Sequence, residues 1–231
     1  IKFINKNVNF KGIFLHNSIN NLALINDQIK SKFGLVKNLK IIAVSKTFPM
    51  SEINPLIESG QIHFGENKVQ EAVDKWSDIK KLNKNLKLHM IGKLQTNKVK
   101  YVVPLFDYIH SLDNIKLAEK IASEQIKKNR NLKIFIQVNI GNEPQKSGLN
   151  ISDLKNFYEK CTQELNLNII GLMCLPPQSG LVKNYFNKMV ELNKTLNLGD
   201  LSMGMSNDYL EAIACGATYV RIGSKIFGDR S

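Results

Sequence analysis

Ile41-Ile42-Ala43-Val44-Ser45-Lys46-Thr47 decides how the rest of this chain is read. Four apolar residues and a serine run directly into a lysine, and Phe48-Pro49 closes the stretch. A short continuous apolar run bounded in this way reads as a strand buried on both faces. Side chains alternate along a strand, so Ile42, Val44 and Lys46 share one face. An amine therefore stands at the C-terminal end of a buried strand, in line with two core residues. Taken alone, such a lysine is more simply the first solvated residue after the strand. The units around it reverse that reading.

Similar apolar runs recur at 62–65, 86–92, 107–111, 133–140, 169–175, 200–205 and 218–223. Helical patterns separate them. Before the first strand, residues 14–33 carry Leu15, Ile19, Leu22, Ile25, Ile29 and Phe33 at helical spacing, and Gly34 stops the pattern. After it come a short helix over 51–57, one from Val69 to Ile79 and one following the polar stretch 93–98. Asp113 is the expected cap of a helix carrying Leu117, Ala118, Ile121 and Ala122. Ser152 begins the next, Phe186, Met189, Val190 and Leu196 mark another, and 207–215 ends at Gly216. Eight strands alternating with helices over short connections imply a parallel sheet. The fold class expected is α/β: a single (β/α)8 TIM-type barrel with an extra N-terminal helix, one domain spanning 1–231. The competing open, doubly wound sheet wants a glycine-rich turn after its first strand, and Ser45-Lys46-Thr47-Phe48-Pro49 has none.

Of 231 residues, 43% are hydrophobic, enough to bury one large core. No run of about eighteen apolar residues is present, which predicts no transmembrane helix. Ile1-Lys2-Phe3-Ile4-Asn5-Lys6 lacks the apolar core of a secretory signal. Cys161, Cys174 and Cys215 are widely spaced, with neither zinc-ligand nor redox-motif spacing, and read as buried thiols of a reducing cytoplasm. The net charge of +12 could mark a nucleic-acid binder. However, the lysines are scattered among many asparagines, without a basic tail or an aromatic-basic motif. A compositional bias accounts for the charge, and no nucleic-acid or membrane partner is expected.

In a barrel the functional residues gather at the C-terminal strand ends. Here these are Lys46, Asn67, Gly92, Ser111, Ser206, Arg221, Gly223 and Ser224. Two clusters stand out, Ser202-Met203-Gly204-Met205-Ser206-Asn207-Asp208 after strand seven and Arg221-Ile222-Gly223-Ser224 after strand eight. The loops after these two strands are the usual phosphate site of a barrel, and N–H groups at a helix start favour an anion. Ser206 can offer a hydroxyl and cap its helix, and Gly223 lets backbone approach closely. A phosphate site opposite a strand-end amine suggests a ligand with both a phosphate and a carbonyl. Pyridoxal 5′-phosphate has both, and lysine condenses with its aldehyde as a Schiff base. Arg221, facing the mouth, would disfavour a proton on the pyridine nitrogen and weaken the ring as an electron sink.

Six motifs now carry a resemblance. They are Ala43-Val44-Ser45-Lys46-Thr47, Phe64-Gly65-Glu66-Asn67-Lys68-Val69-Gln70-Glu71, His89-Met90-Ile91-Gly92-Lys93-Leu94-Gln95-Thr96-Asn97-Lys98, Lys146-Ser147-Gly148, Leu201 through Asp208, and Arg221-Ile222-Gly223-Ser224-Lys225-Ile226-Phe227-Gly228. From about residue 40 to the C-terminus, and in order, they resemble the pyridoxal phosphate homeostasis proteins. The resemblance implies a barrel similar to the N-terminal domain of alanine racemase, with the Schiff base on Lys46. It implies phosphate contacts at Ser206, Gly223 and Ser224, a pyridine-nitrogen contact at Arg221 and ring-side contacts at Asn67 and Met203. No metal and no catalytic residue is implied. Members of the family bind the cofactor without an established turnover and are understood to keep cellular vitamin B6 in balance. A cytoplasmic monomer is expected, with apo pyridoxal phosphate-dependent enzymes as its protein partners. Ser224 stands where threonine is frequent, which keeps the hydroxyl.

The rival reading is a racemase or decarboxylase of the same fold. Racemisation needs acid/base groups on both faces of the substrate adduct, and Lys46 supplies one face. Related racemases take the other from a second domain, which this sequence does not supply.

Overall fold

The computed structural model describes residues 16–177 and 181–228. The expected helix start at 14, Leu15 and the stretch Ile1 to Lys6 lie outside these residues. Eight parallel strands close a barrel in sequence order. They are β1 (Lys40–Val44), β2 (His63–Glu66), β3 (Lys87–Met90), β4 (Tyr108–Leu112), β5 (Lys133–Val138), β6 (Ile169–Cys174), β7 (Asp200–Met205) and β8 (Tyr219–Ile222). Closure is by β1 against β8, with Lys40 opposite Tyr219 and Ile42 opposite Arg221. The helices are α1 (Asn17–Phe33), α2 (Met50–Glu58), α3 (Val69–Leu82), α4 (Val99–Leu105), α5 (Ile115–Lys128), α6 (Leu154–Glu159), α7 (Val182–Thr195), α8 (Tyr209–Ala214) and α9 (Ser224–Phe227). Helix α1 precedes the first strand, as its spacing predicts, and ends at Gly34 with φ 67°.

Strand alternation sorts the apolar residues into two cores. Ile42, Tyr108, Phe135, Met173 and Tyr219 fill the inside of the barrel. Ala43, Phe64, Leu88, Ile109, Ile134 and Leu172 point outward into a larger layer shared with Trp76, Phe106 and Phe186. Each fully buried side chain of this size contributes about 1.5–3 kcal/mol, so the layer between strands and helices carries most of the hydrophobic stabilisation. That leaves the strand ends available for other chemistry.

Two expected caps differ. Asn114, not Asp113, caps α5, its Oδ1 accepting from Leu117 N–H at 3.0 Å. Asp113 instead accepts from the Gly148 N–H across to the loop after β5. Ser152 lies within a 3₁₀ turn, Ile151–Asp153, which leads into α6.

Strand β7 is irregular. Ser202 lies opposite Tyr219 but Met205 lies opposite Arg221, so β7 spends one residue more than β8. Gly204, at φ 91°, takes the extra step. This is a bulge that re-aims the end of the strand, and an alanine there would set its Cβ 2.5 Å from that of Ala212.

Candidate binding site at the C-terminal mouth of the barrel

A cavity of about 1060 Å³ opens at the C-terminal mouth. Lys46, Asn67, Ser206, Arg221, Gly223 and Ser224 all line it. Two expectations fall elsewhere. Met203 is fully buried in the outer layer, because the step before the Gly204 bulge points it away from the axis; Met205 reaches the cavity instead. Ser111 is also buried, its Oγ without a partner and outside the cavity lining.

Lys46 follows β1, and the chain on either side of it is pinned from α3. Lys75 Nζ donates to the Ser45 carbonyl at 2.9 Å and to that of Phe48 at 3.3 Å. The same ammonium pairs with Glu66 at 2.8 Å and Glu71 at 2.9 Å. Glu66 is wholly buried; its Oε1 also accepts from the Ser45 hydroxyl at 2.8 Å and the Trp76 indole at 3.0 Å. Charge-assisted hydrogen bonds of this kind are the stronger class, so the base of Lys46 is fixed on both sides. The next residue, Thr47, sits at φ 69°.

On the next strand Asn67 reaches the mouth beside Gly92. A Cβ on Gly92 would lie 2.3 Å from the Asn67 carbonyl oxygen, so only glycine lets the two backbones meet. The Asn67 Oδ1 is buried and has no partner. A buried unsatisfied amide of this kind costs about 1–3 kcal/mol and marks a place for a polar ligand atom.

Across the cavity, β7 and β8 supply an anion cradle. Ser206 does not cap α8; Asp208 occupies that position and binds the Met205 N–H at 2.6 Å through Oδ1. The Ser206 hydroxyl instead accepts from the N–H of Gly223 at 3.3 Å and of Lys225 at 3.4 Å. These bonds are long, so an arriving anion can draw on the same N–H groups together with the Ser206 and Ser224 hydroxyls. The loops after β7 and β8 are thereby joined through one serine.

Arg221 is buried, with its guanidinium donating to Ser202 Oγ at 2.6 Å and to the Cys174 carbonyl at 2.9 Å. Both acceptors are neutral. Burial pushes its pKa down, and Cys174 and Asp208 oppose the shift. Leu175, Pro176 and Val182 add apolar lining to the same cavity. The Cys161 and Cys174 thiols are pushed up to about 12 by burial, which keeps both protonated and inert. No group of three or more metal-ligating side chains occurs among the described residues, and no helix there is long and apolar enough to cross a membrane.

Sequence reasoning placed Ser202 and Asp208 in the cluster after strand seven without giving either a role, and it missed the internal histidines His89 and His110, both wholly buried. The signal was present: a histidine in the middle of a doubly buried strand has nowhere to point but a core.

The alanine racemase N-terminal domain model matches residues 20–231. A pyridoxal phosphate homeostasis protein of Aquifex aeolicus is 40% identical over 200 residues, covering 83% of this chain and 87% of that protein. One from Escherichia coli is 36% identical, covering 91% and 95%. Among solved structures, PipY of Synechococcus elongatus with PLP bound superposes with a TM-score of 0.82 at 34% identity, covering 91% of this chain and 100% of that one. An alanine racemase of Clostridium difficile superposes at 0.71 with 14% identity, which is a likeness of fold, and 57% of that chain is covered.

Proposed function

Because the chain belongs to the pyridoxal phosphate homeostasis proteins, built on the alanine racemase N-terminal barrel, we propose that its cavity holds pyridoxal 5′-phosphate as a Schiff base on Lys46. One observation carries the reading: an amine, an anion cradle and a buried guanidinium from β1, β7 and β8 converge on one cavity.

The residues fit the group. The unpartnered Asn67 Oδ1 meets the need for a polar contact at the ring edge. Ser206, Gly223 and Ser224 suit the phosphate, and Arg221 suits the ring nitrogen. Lys46 would condense with the aldehyde, forming the C=N bond and releasing water. When bound, the cofactor supplies an electrophilic imine carbon and an electron-accepting ring. The cationic Arg221 would donate to the ring nitrogen and oppose a proton there, which would limit that acceptance.

This combination suits a carrier. The same barrel takes up the cofactor and releases it to apo pyridoxal phosphate-dependent enzymes, acting in the cytoplasm as a monomer and a single domain. Absorbance near the visible edge, lost on borohydride treatment, tests the imine, and peptide mapping of the reduced protein tests its place. The adduct is expected on Lys46; one on Lys98 or Lys225 would sink the assignment. Lys46→Ala should lose the imine and keep partial, non-covalent binding through the phosphate. Transfer to an apo-enzyme faster than release from that variant tests the carrier role.

A further inference from the structure

Barrel interiors are normally filled by branched apolar side chains. This one contains a file of three histidines. His63 Nδ1 lies 2.9 Å from His89 Nε2, and His89 Nδ1 lies 2.9 Å from His110 Nε2. His110 Nδ1 lies 2.8 Å from Ser202 Oγ, which accepts from Arg221 at 2.6 Å. The file starts at His63, half-buried beside a second cavity of about 450 Å³ at the opposite mouth. It ends on the guanidinium that lines the ligand cavity.

The direction of every bond follows from counting hydrogens. Arginine only donates, so it takes a lone pair of the Ser202 oxygen. Ser202 Oγ has one other partner, and its single hydrogen goes to His110 Nδ1. A neutral imidazole that accepts at Nδ1 carries its hydrogen on Nε2, so His110 donates to His89 and His89 donates to His63. All three rings are neutral, because burial and their neighbours push each pKa down, His63 to about 4. Aromatic neighbours fix the ring planes: His89 stacks on Tyr108 at 4.1 Å and His110 on Phe135 at 4.4 Å.

The result is a row of dipoles with their acceptor ends toward Arg221. Hydrogen bonds in such a chain polarise one another. A buried cation usually needs an anionic partner. A carboxylate bound to this guanidinium would cancel its charge at the ligand. Dipoles stabilise the cation without cancelling it.

We propose that Ser202, His110, His89 and His63 are positioning residues for Arg221, holding the guanidinium cationic and aimed at the ring nitrogen of the cofactor from the far end of the barrel. This rests on the reading that Arg221 meets that nitrogen.

The test compares pyridoxal 5′-phosphate with its deaza analogue, in which a C–H replaces the ring nitrogen. Affinities for both are measured by titration on the intact protein and on folded variants. The parent should prefer the natural cofactor by about tenfold or more, the scale of a hydrogen bond from a charged donor. Ser202→Ala should shrink the preference to about threefold or less. His89→Phe should shrink it as well, and His89→Gln, which can donate and accept, should restore part of it. If Ser202→Ala fails to fold, His63→Phe at the half-buried end unpairs His89 and should still narrow the ratio. A purely structural file would lower both affinities together and leave the ratio intact; that result in folded variants overturns the proposal alone. No preference in the parent would overturn the placement of Arg221 at the nitrogen, and this inference with it.

Discussion

Glu71 holds Thr47 in place: its Oε1 accepts the Thr47 backbone N–H at 2.5 Å, and Thr47 stands at φ 69° immediately after Lys46. A β-branched residue in the left-handed region is a genuine outlier, costing about 1–3 kcal/mol. The surrounding bonds over-determine it, and the strained turn ends the strand's course immediately after Lys46, which lines the cavity.

Removing the strain and removing the restraint should therefore differ. Thr47→Gly is expected to leave stability within about 1 kcal/mol of the parent, because the relief of strain offsets glycine's added freedom in the unfolded chain. Glu71→Ala should cost about 1–2 kcal/mol and slow imine formation on Lys46. Denaturant unfolding and stopped-flow absorbance report the two effects. An unchanged imine rate in Glu71→Ala would show that the turn holds itself.

The anion cradle makes a second prediction. Ser206→Ala and Ser224→Ala should each weaken cofactor affinity by about 1–2 kcal/mol, the scale of a hydrogen bond to a charged group. Ser206→Ala should do the greater harm, since it also unties the loop after β7 from the backbone of Gly223 and Lys225 after β8. Equal binding of pyridoxal with and without its phosphate would rule the cradle out.

Gly92→Ala tests the close approach to Asn67. The added methyl meets backbone at 2.3 Å and 2.8 Å, which cannot swing aside as a side chain can. A loss of about 1–3 kcal/mol in stability is expected, together with weaker cofactor binding through a displaced Asn67. Thermal melts with and without ligand separate the two. A variant with parent-like binding would remove Asn67 from the site.

The buried histidines set an acid limit. His63, His89 and His110 have native pKa values below the ordinary 6.5. Their folded pKa values are depressed, so below pH 6.5 the unfolded chain binds protons that the native state refuses. Stability is then complete above that pH and is lost as the pH falls, for His63 toward about 4. Each such group contributes a slope of up to about 1.4 kcal/mol per pH unit. Denaturant unfolding between pH 7 and 5 should show this dependence, and His63→Gln should reduce the slope by about one proton. A flat profile would mean the file is charged or broken.

Amino-acid turnover should be slow. An Arg221 guanidinium at the ring nitrogen, as proposed above, would oppose a proton there and so raise the energy of any carbanion that the ring must accept. Incubation with L- and D-amino acids, followed for racemisation, decarboxylation and α-proton exchange, measures it. Robust turnover lost in Lys46→Ala would favour a racemase or decarboxylase.

Most of the architecture was legible because strand and helix periods differ so plainly in this chain. Ile41 to Val44 and its seven counterparts mark the strands, and Lys46 lies two residues past the observed end of β1. Local competition was not legible. Asp113 and Asn114 are both competent caps, and only the fold gives Asp113 a different donor in Gly148. Met203 and Met205 have the same parity in the sequence, and the left-handed step at Gly204 decides which reaches the cavity. The histidines stand on three separate strands, so their contact depends on register across the barrel, which no single stretch encodes.

The closure of β1 on β8 has a consequence for how the protein comes into being. Lys46 follows the first strand, while Arg221 and Gly223 belong to the last. A nascent chain with seven strands has the amine but neither the guanidinium nor the final part of the cradle. A ligand held by these residues would bridge the joint that closes the ring, tying the earliest-made strand to the latest. Binding by both strands would then require that the ring of strands has shut.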